Sequence, residues 1–488
     1  MQRGVACETC HGPVNDMARV YQAEPLQMGW CLDCHRHPWE HLRPKEHVFD
    51  FRWRPPADQG QIGRRLVAEQ GIEPRLDPCS ERLPRRPAPR GCSSTSSRAH
   101  RRLAPRFLVC LSGSAASPVT DVAAVQIANG DLVDISGGER CVRAAVWVLP
   151  GQAERTVTLY LGYGQERLGR VGAGIGYDAY RLRTSAEPWT VRGIVLQAVG
   201  QGSTLASTQD HATLAGRHHI VRQITTEELQ AGHTVEEHQG PRPSLYPEWR
   251  YDDYAWGMAI DLDACIGCNA CVVACMAENN VPVVGKEQVA MGREMHWLRV
   301  DRYYTGPPEN PEIHWQPVPC MHCEKAPCEV GCPVNATVHG PEGLNQMIYN
   351  RCVGTRACAS YCPYKVRRFN FFDYAEMEGK ARIPQRNPDV TVRARGVMEK
   401  CTYCVQRISA ARLEAKKEGR RIEDGEVVTA CQQACPTRAV TFGDINDPNS
   451  AVSRAKASPR DYALLGELNT RPRTTYLAEV SEPSKEEA

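Results

Sequence analysis

Cys265-Ile266-Gly267-Cys268-Asn269-Ala270-Cys271-Val272-Val273-Ala274-Cys275 decides how the chain is read. Three cysteines recur every third residue, and a fourth follows one helical turn later. The frame returns as Cys320-x2-Cys323-x4-Cys328-x3-Cys332, followed by Pro333. It returns again as Cys352, Thr355, Cys358 and Cys362, followed by Pro363, with a threonine in the second slot. Its last copy is split: Cys401-x2-Cys404 is completed, after a long insertion, by Cys431-x3-Cys435 and Pro436. Fifteen of the 23 cysteines fall in these four groups, which reads as metal chemistry rather than a disulfide framework.

A C-x2-C-x2-C run wraps three thiolates around one iron–sulfur cube, and a cysteine four places on faces a neighbouring cluster. Soft thiolates suit iron–sulfur clusters or zinc. Structural zinc sites use paired ligands, a different spacing. Thr355 breaks the pattern, because its hydroxyl is no thiolate at any working pH and matches iron poorly. Three good ligands suit [3Fe–4S] over [4Fe–4S], and the loss of one thiolate predicts a high-potential centre. A [4Fe–4S] cluster carrying water or hydroxide on its exposed iron is the alternative.

Working outward, residues 1–54 carry Cys7-Glu8-Thr9-Cys10-His11 and Cys31-Leu32-Asp33-Cys34-His35. Both are C-x-x-C-H, the attachment signature of c-type haem. They predict two covalently attached haem c groups, with His11 and His35 as proximal ligands. Distal candidates are His37, His41, His47, Met17 and Met28. So short a segment would pack mainly on its haems.

Residues 55–117 are rich in Arg, Pro and Ser and show no helical or strand period, so disorder or a junction of irregular origin is expected. Cys79, Cys92 and Cys110 match no ligand pattern there. Residues 118–245 alternate apolar runs with glycine turns, such as Leu132-Val133-Asp134-Ile135, Ala144-Ala145-Val146-Trp147-Val148 and Thr156-Val157-Thr158-Leu159-Tyr160-Leu161, and predict a compact β-barrel. Residues 246–470 hold the cysteine groups, with strands expected at Trp256–Asp263, His296–Asp301 and Arg368–Phe372 and a charged helix over Arg407–Arg421. Residues 471–488 read as a flexible tail. The fold class expected is α+β multidomain: a haem-packed segment, a double-psi-like β-barrel and a four-cluster bacterial-ferredoxin-like domain.

The length, 488 residues, predicts more than one domain, and the net charge of +2 leaves no nucleic-acid footprint. No run of about 18 apolar residues could span a bilayer, and no signal peptide is recognised at the start. No residue reads as a general acid, base or nucleophile, so no catalytic residue is expected. His322 and His339 read as local structure or tuning of potential.

Asn129-Gly130-Asp131-Leu132-Val133, Leu149-Pro150-Gly151-Gln152 and Leu161-Gly162-Tyr163-Gly164 resemble the C-terminal barrel of molybdopterin oxidoreductases. The larger catalytic domains of that superfamily are missing, so no molybdenum cofactor is expected. The cysteine frame resembles the four-cluster electron-transfer subunits of the dimethyl sulfoxide and polysulfide reductase family. That resemblance implies the ligand sets: Cys265, Cys268 and Cys271 with Cys435; Cys401, Cys404 and Cys431 with Cys275; Cys320, Cys323 and Cys328 with Cys362; and Cys352 and Cys358 with Cys332. It implies three [4Fe–4S] clusters and one [3Fe–4S] cluster.

Barrel, iron–sulfur domain and c-type haem motifs together resemble alternative complex III. The resemblance implies an integral-membrane quinol-binding partner, a multihaem cytochrome partner and a soluble acceptor such as cytochrome c. It implies a peripheral place on the periplasmic face of the inner membrane. Alternatives are the electron-transfer subunit of a molybdopterin reductase running current the other way, a structural zinc protein, and a fused or truncated gene product joining parts of two neighbouring subunits.

Overall fold

Trp256–Asp261 is the strand expected ahead of Cys265, and it lies at the centre of a four-stranded sheet. The computed structural model describes residues 37–47, 50, 53–69, 108–112, 127–153, 155–167, 169–172, 175–199, 202–217, 219–235, 244, 246, 248–375 and 384–482. Cys7, Cys10, His11, Cys31, Cys34 and His35 lie outside these residues, as do Cys79 and Cys92. The chain forms two units, Met1–His100 and Arg101–Ala488.

In the larger unit the central strand pairs antiparallel with Val440–Asp444 and parallel with Thr474–Leu477. Asp461–Tyr462 completes the sheet beside Thr474–Leu477. Successive residues, which point to opposite faces, are buried alike, so the central strand is an apolar run rather than an alternating one. Trp256 stacks on Tyr254 at 5.3 Å and on Phe442 at 5.5 Å, planting an aromatic ladder on the sheet. Tyr403 meets Phe442 edge-on at 5.2 Å and carries that ladder toward the cysteines.

The helices beside the cysteines are short for a local reason. Ala357–Tyr361 and Ala430–Ala434 each stop at a Cys-Pro pair, and the residue before proline is barred from the helical region. Val405–Lys417 matches the expected charged helix but ends earlier, with Gly419 in the left-handed conformation at φ 67°. The strand expected at His296–Asp301 is Arg299–Thr305, paired antiparallel with Glu312–Val318. Only Arg368–Phe369 of the Arg368–Phe372 run is strand, paired with Met398–Glu399.

The barrel expected over 118–245 is, among the described residues, an open four-stranded sheet. Its order is Leu108–Ser112, Arg140–Leu149, Leu132–Gly137, Val195–Ala198, with only the first pair parallel. Thr156–Leu161 is not a strand, and its polar groups bond side chains. Gln152 Nε2 donates to the hydroxyls of Thr156 and Thr158, and the Tyr160 amide donates to the Tyr177 hydroxyl. A small core of Val133, Ile135, Val142, Ala144 and Val146 lies under Tyr177 and Leu182. Gln223–Thr225 pairs parallel with Glu479–Ser481, tying the segment before the cysteine region to the end of the chain.

Two regular elements occur where disorder is expected. One is the strand Leu108–Ser112, which carries Cys110. The other, in the smaller unit, is the helix Gln59–Glu69. That helix is held by Gln59 Nε2, which donates to the carbonyls of Trp39 and Leu42. Nearby, the Arg43 guanidinium stacks on Trp53 at 4.6 Å. Of the distal-ligand candidates, His37 lies edge-on to Trp39 and His47 pairs with Asp50 at 3.5 Å. Among the described residues no helix is long and apolar enough to cross a membrane.

Candidate metal centres

The cysteines gather into four groups. Cys265, Cys268, Cys271 and Cys435 line one cavity, roofed by Gly267 and Val440. Cys320, Cys323, Cys328 and Cys362 line another, with Asn345 and Arg367 at its edge. Cys275 is fully buried, and the thiols that act on it are those of Cys401, Cys431 and Cys404. Asn279 Nδ2 lies 3.6 Å from Cys275 Sγ and 4.0 Å from Cys404 Sγ, joining the two sides of that group. Cys358 interacts with Cys352 and Cys332, and Thr355, between Cys352 and Cys358 in sequence, is exposed.

These groups form a series. Cys271 interacts with Cys431, which sets the Cys265 group beside the Cys275 group. Cys401 interacts with Cys320, which sets the Cys275 group beside the Cys320 group. Arg367 bonds Cys328 and acts electrostatically on Cys358, which sets the Cys320 group beside the Thr355 group. In that order they are called the first, second, third and fourth groups below.

Local backbone geometry aims donors at the sulfurs. Asn335, Lys365 and Arg438, each third after a Cys-Pro cysteine, are left-handed at φ 55°, 51° and 57°. Such a turn points successive amides inward, an anion-binding nest of the kind found at iron–sulfur sites. Ala336 N donates to Cys332 Sγ and Ala439 N to Cys435 Sγ, both at 3.2 Å. Burial raises the cost of ionising Cys332 and Cys435, but these amides outweigh it and hold both thiols below the usual range. At five other cysteines burial wins. It pushes Cys271 and Cys328 up to about 12 and Cys404 to about 11, and it holds Cys275 and Cys323 well above the usual thiol value. Four sulfurs in one apolar cage repel as anions, so ionising them needs a positive centre inside.

The donor set fits iron–sulfur clusters: soft sulfurs, amide donors to them and apolar walls. Among the described residues no three His, Cys, Asp or Glu side chains converge on one point as a single metal ion requires. Sulfurs spread around a cage are what a multi-iron cluster needs.

Of the groups between the cages, the sequence reading singled out His322 and missed Lys400. His322 is fully buried, left-handed at φ 46°, and stacked on Tyr403 at 3.8 Å. Its Nδ1 accepts from the Asn345 amide at 3.0 Å and its Nε2 donates to the Cys401 carbonyl at 3.1 Å, so the ring is neutral. Burial, with Lys400 and Arg473 nearby, holds its pKa well below the usual value. Lys400 is also fully buried, and its ammonium donates to the Cys401 carbonyl at 2.7 Å. Adjacency to cysteine was the available signal for both. His339 is structural, stacked on Trp249 at 4.7 Å and bonded to the Tyr251 hydroxyl.

Fold and thiol groups together define a ferredoxin-type iron–sulfur protein. Models of 4Fe–4S dicluster domains match residues 311–381 and 351–439, and a model of a 4Fe–4S binding domain matches 256–277. The iron–sulfur cluster-binding subunit of menaquinone reductase from Nitratidesulfovibrio vulgaris is 42% identical over 46% of this chain and 88% of its own length. Iron–sulfur subunit 1 of the Hdr-like menaquinol oxidoreductase from Archaeoglobus fulgidus is 35% identical over 47% and 86%. A polysulfide reductase polypeptide from Wolinella succinogenes is 29% identical over 45% and 91%. The chain belongs to the family of iron–sulfur electron-transfer subunits of quinol-linked reductases.

Proposed function

We propose that this chain relays single electrons from a membrane quinol-oxidising subunit to a periplasmic acceptor, as alternative complex III does. The observation that carries the reading is the serial order of the four thiol groups. Three [4Fe–4S] clusters and one [3Fe–4S] cluster, when bound, supply one-electron carriers. Cys265, Cys268, Cys271 and Cys435 hold one. Cys275, Cys401, Cys404 and Cys431 hold the second, and Cys320, Cys323, Cys328 and Cys362 the third. Cys332, Cys352 and Cys358 hold the three-iron centre, where electrons from the quinol side enter.

The chain's own residues fix the carriers rather than perform acid–base chemistry. Left-handed turns aim amides at the sulfurs, the sheet fixes the spacing, and buried side chains such as Tyr403 and His322 exclude water between groups. The two C-x-x-C-H motifs extend the relay to haem c held by Cys7, Cys10, His11, Cys31, Cys34 and His35. The assembly places the chain on the periplasmic face, with a multihaem cytochrome partner and a soluble acceptor. Arg140–Leu149 and its neighbours serve as structural support without molybdenum.

A second reading reverses the current, so that the chain delivers electrons to menaquinone or serves a molybdopterin reductase. The relatives named menaquinone reductase and polysulfide reductase favour it. Low-temperature EPR of the oxidised and the reduced protein, with iron, sulfide and zinc analysis, tests the relay. An oxidised three-iron signal and three further signals on reduction are expected; zinc in place of iron overturns it. Mass spectrometry of the native subunit then tests the haem segment, through a peptide spanning Trp53 to Val119.

A further inference from the structure

Arg367 follows Cys362-Pro363-Tyr364-Lys365-Val366 and is only 6% exposed. Its Nη2 donates to Cys328 Sγ at 3.1 Å and to Asn345 Oδ1 at 2.8 Å, and its Nη1 donates to Thr337 Oγ1 at 3.1 Å. Cys358, one helical turn before Cys362, is close enough to act electrostatically on the same guanidinium. One side chain therefore bonds sulfur in the third group and acts on sulfur in the fourth. Among the described residues none of its partners is a carboxylate. A buried guanidinium without an anion is expensive, whereas a guanidinium between two thiolate-ligated clusters is compensated from both sides. Its planar fork suits the task, because two acceptors in different directions can be served at once.

We propose that Arg367 is a positioning residue that couples the third and fourth centres, raising both potentials together and keeping them close enough for ready exchange. This rests on the relay reading above. In the exchange one electron leaves one centre and enters the other. The donor is oxidised by one electron and the acceptor reduced by one, and no atom or proton moves. The cation stabilises whichever centre holds the added charge, and it stays bonded to Cys328 throughout.

EPR-monitored redox titration of the holoprotein carrying Arg367→Gln tests the proposal. Two of the four midpoint potentials should fall together, each by a reduced-to-oxidised ratio of about tenfold or more, about 59 mV for a one-electron couple. The other two should stay in place. Unchanged potentials, or a shift at only one centre, overturn the coupling role. If Arg367→Gln loses iron, Arg367→Lys replaces it. Lysine keeps the charge but loses the planar fork that holds it in place, so at least one of the two potentials still falls, and two unchanged potentials overturn the assignment. Wild-type protein lacking iron–sulfur signals would instead sink the relay reading, so the two failures are distinguishable.

Discussion

Asn269 and Arg356 adopt the same left-handed conformation, φ 61° and 62°, each one residue past the second position of its cysteine frame. The match extends to either side. Gly267 and Gly354 are left-handed at φ 65° and 74°, and helices begin at Ala270 and Ala357. Cys268 and Thr355 are both exposed in equivalent places. Thr355 thus occupies a ligand slot with an intact backbone and an altered side chain.

Thr355→Cys should therefore complete the fourth set without refolding it. Iron content should rise by about one atom per chain, and the oxidised three-iron EPR signal should vanish. Survival of that signal in a variant whose new thiol is metal-bound would show that Thr355 does not set the cluster type.

Gly267→Ala should damage the first group. The added methyl would overlap the Trp315 ring, and the left-handed backbone disfavours any side chain. Strain and overlap together should cost about 3 kcal/mol. Gly138 is also left-handed, at φ 61°, but nothing lies near an added methyl there. Gly138→Ala should cost only about 1 kcal/mol, the conformational part alone. Thermal unfolding followed by loss of cluster absorbance checks both, and equal costs would contradict the steric argument.

Phe442→Ala tests the ladder between sheet and cages. Phe442 is 1% exposed and touches both Trp256 and Tyr403. Its removal should destabilise the protein by about 3–5 kcal/mol, measured by denaturant unfolding of the loaded protein. A loss below about 1 kcal/mol would mean that the stack is not a structural support.

Lys456 gives a pH signature away from the metal. Burial lowers its pKa from 10.5 to about 8, partly opposed by Asp461, and its ammonium donates to Thr475 Oγ1 at 2.7 Å. Between pH 8 and 10.5 the unfolded chain binds the proton that the folded chain has released, so stability rises with pH across that window. Lys456→Met abolishes the rise. Relative to wild type, the variant should lose about 2 kcal/mol of advantage from pH 8 to pH 10, by chemical denaturation. A constant difference across that range would exclude the lysine as its source.

The metal frame was legible because ligand spacing is a covalent fact of the chain, and so was the strand at Trp256, whose apolar run precedes it. What surrounds the sulfurs was not. Arg367 and Arg368 are neighbours of one type, yet Arg367 faces sulfur while Arg368 pairs with Glu294, a distinction set by tertiary packing. For Lys400 the one sequence signal was its place beside Cys401. The barrel was over-read at Thr156–Leu161, where strand-like composition occurs without a strand and the Tyr160 amide turns to the Tyr177 hydroxyl.

Cys435 lies far along the chain from Cys265, Cys268 and Cys271, yet all four line one cavity, and Cys275 crosses the other way to Cys401, Cys404 and Cys431. A nascent polypeptide ending anywhere before residue 431 presents incomplete sets at both places. Cluster donors would find these two receptacles finished only once residue 435 has been made, whereas the third and fourth sets are complete at residue 362, so loading of the first two reports that synthesis has passed the last cysteine group.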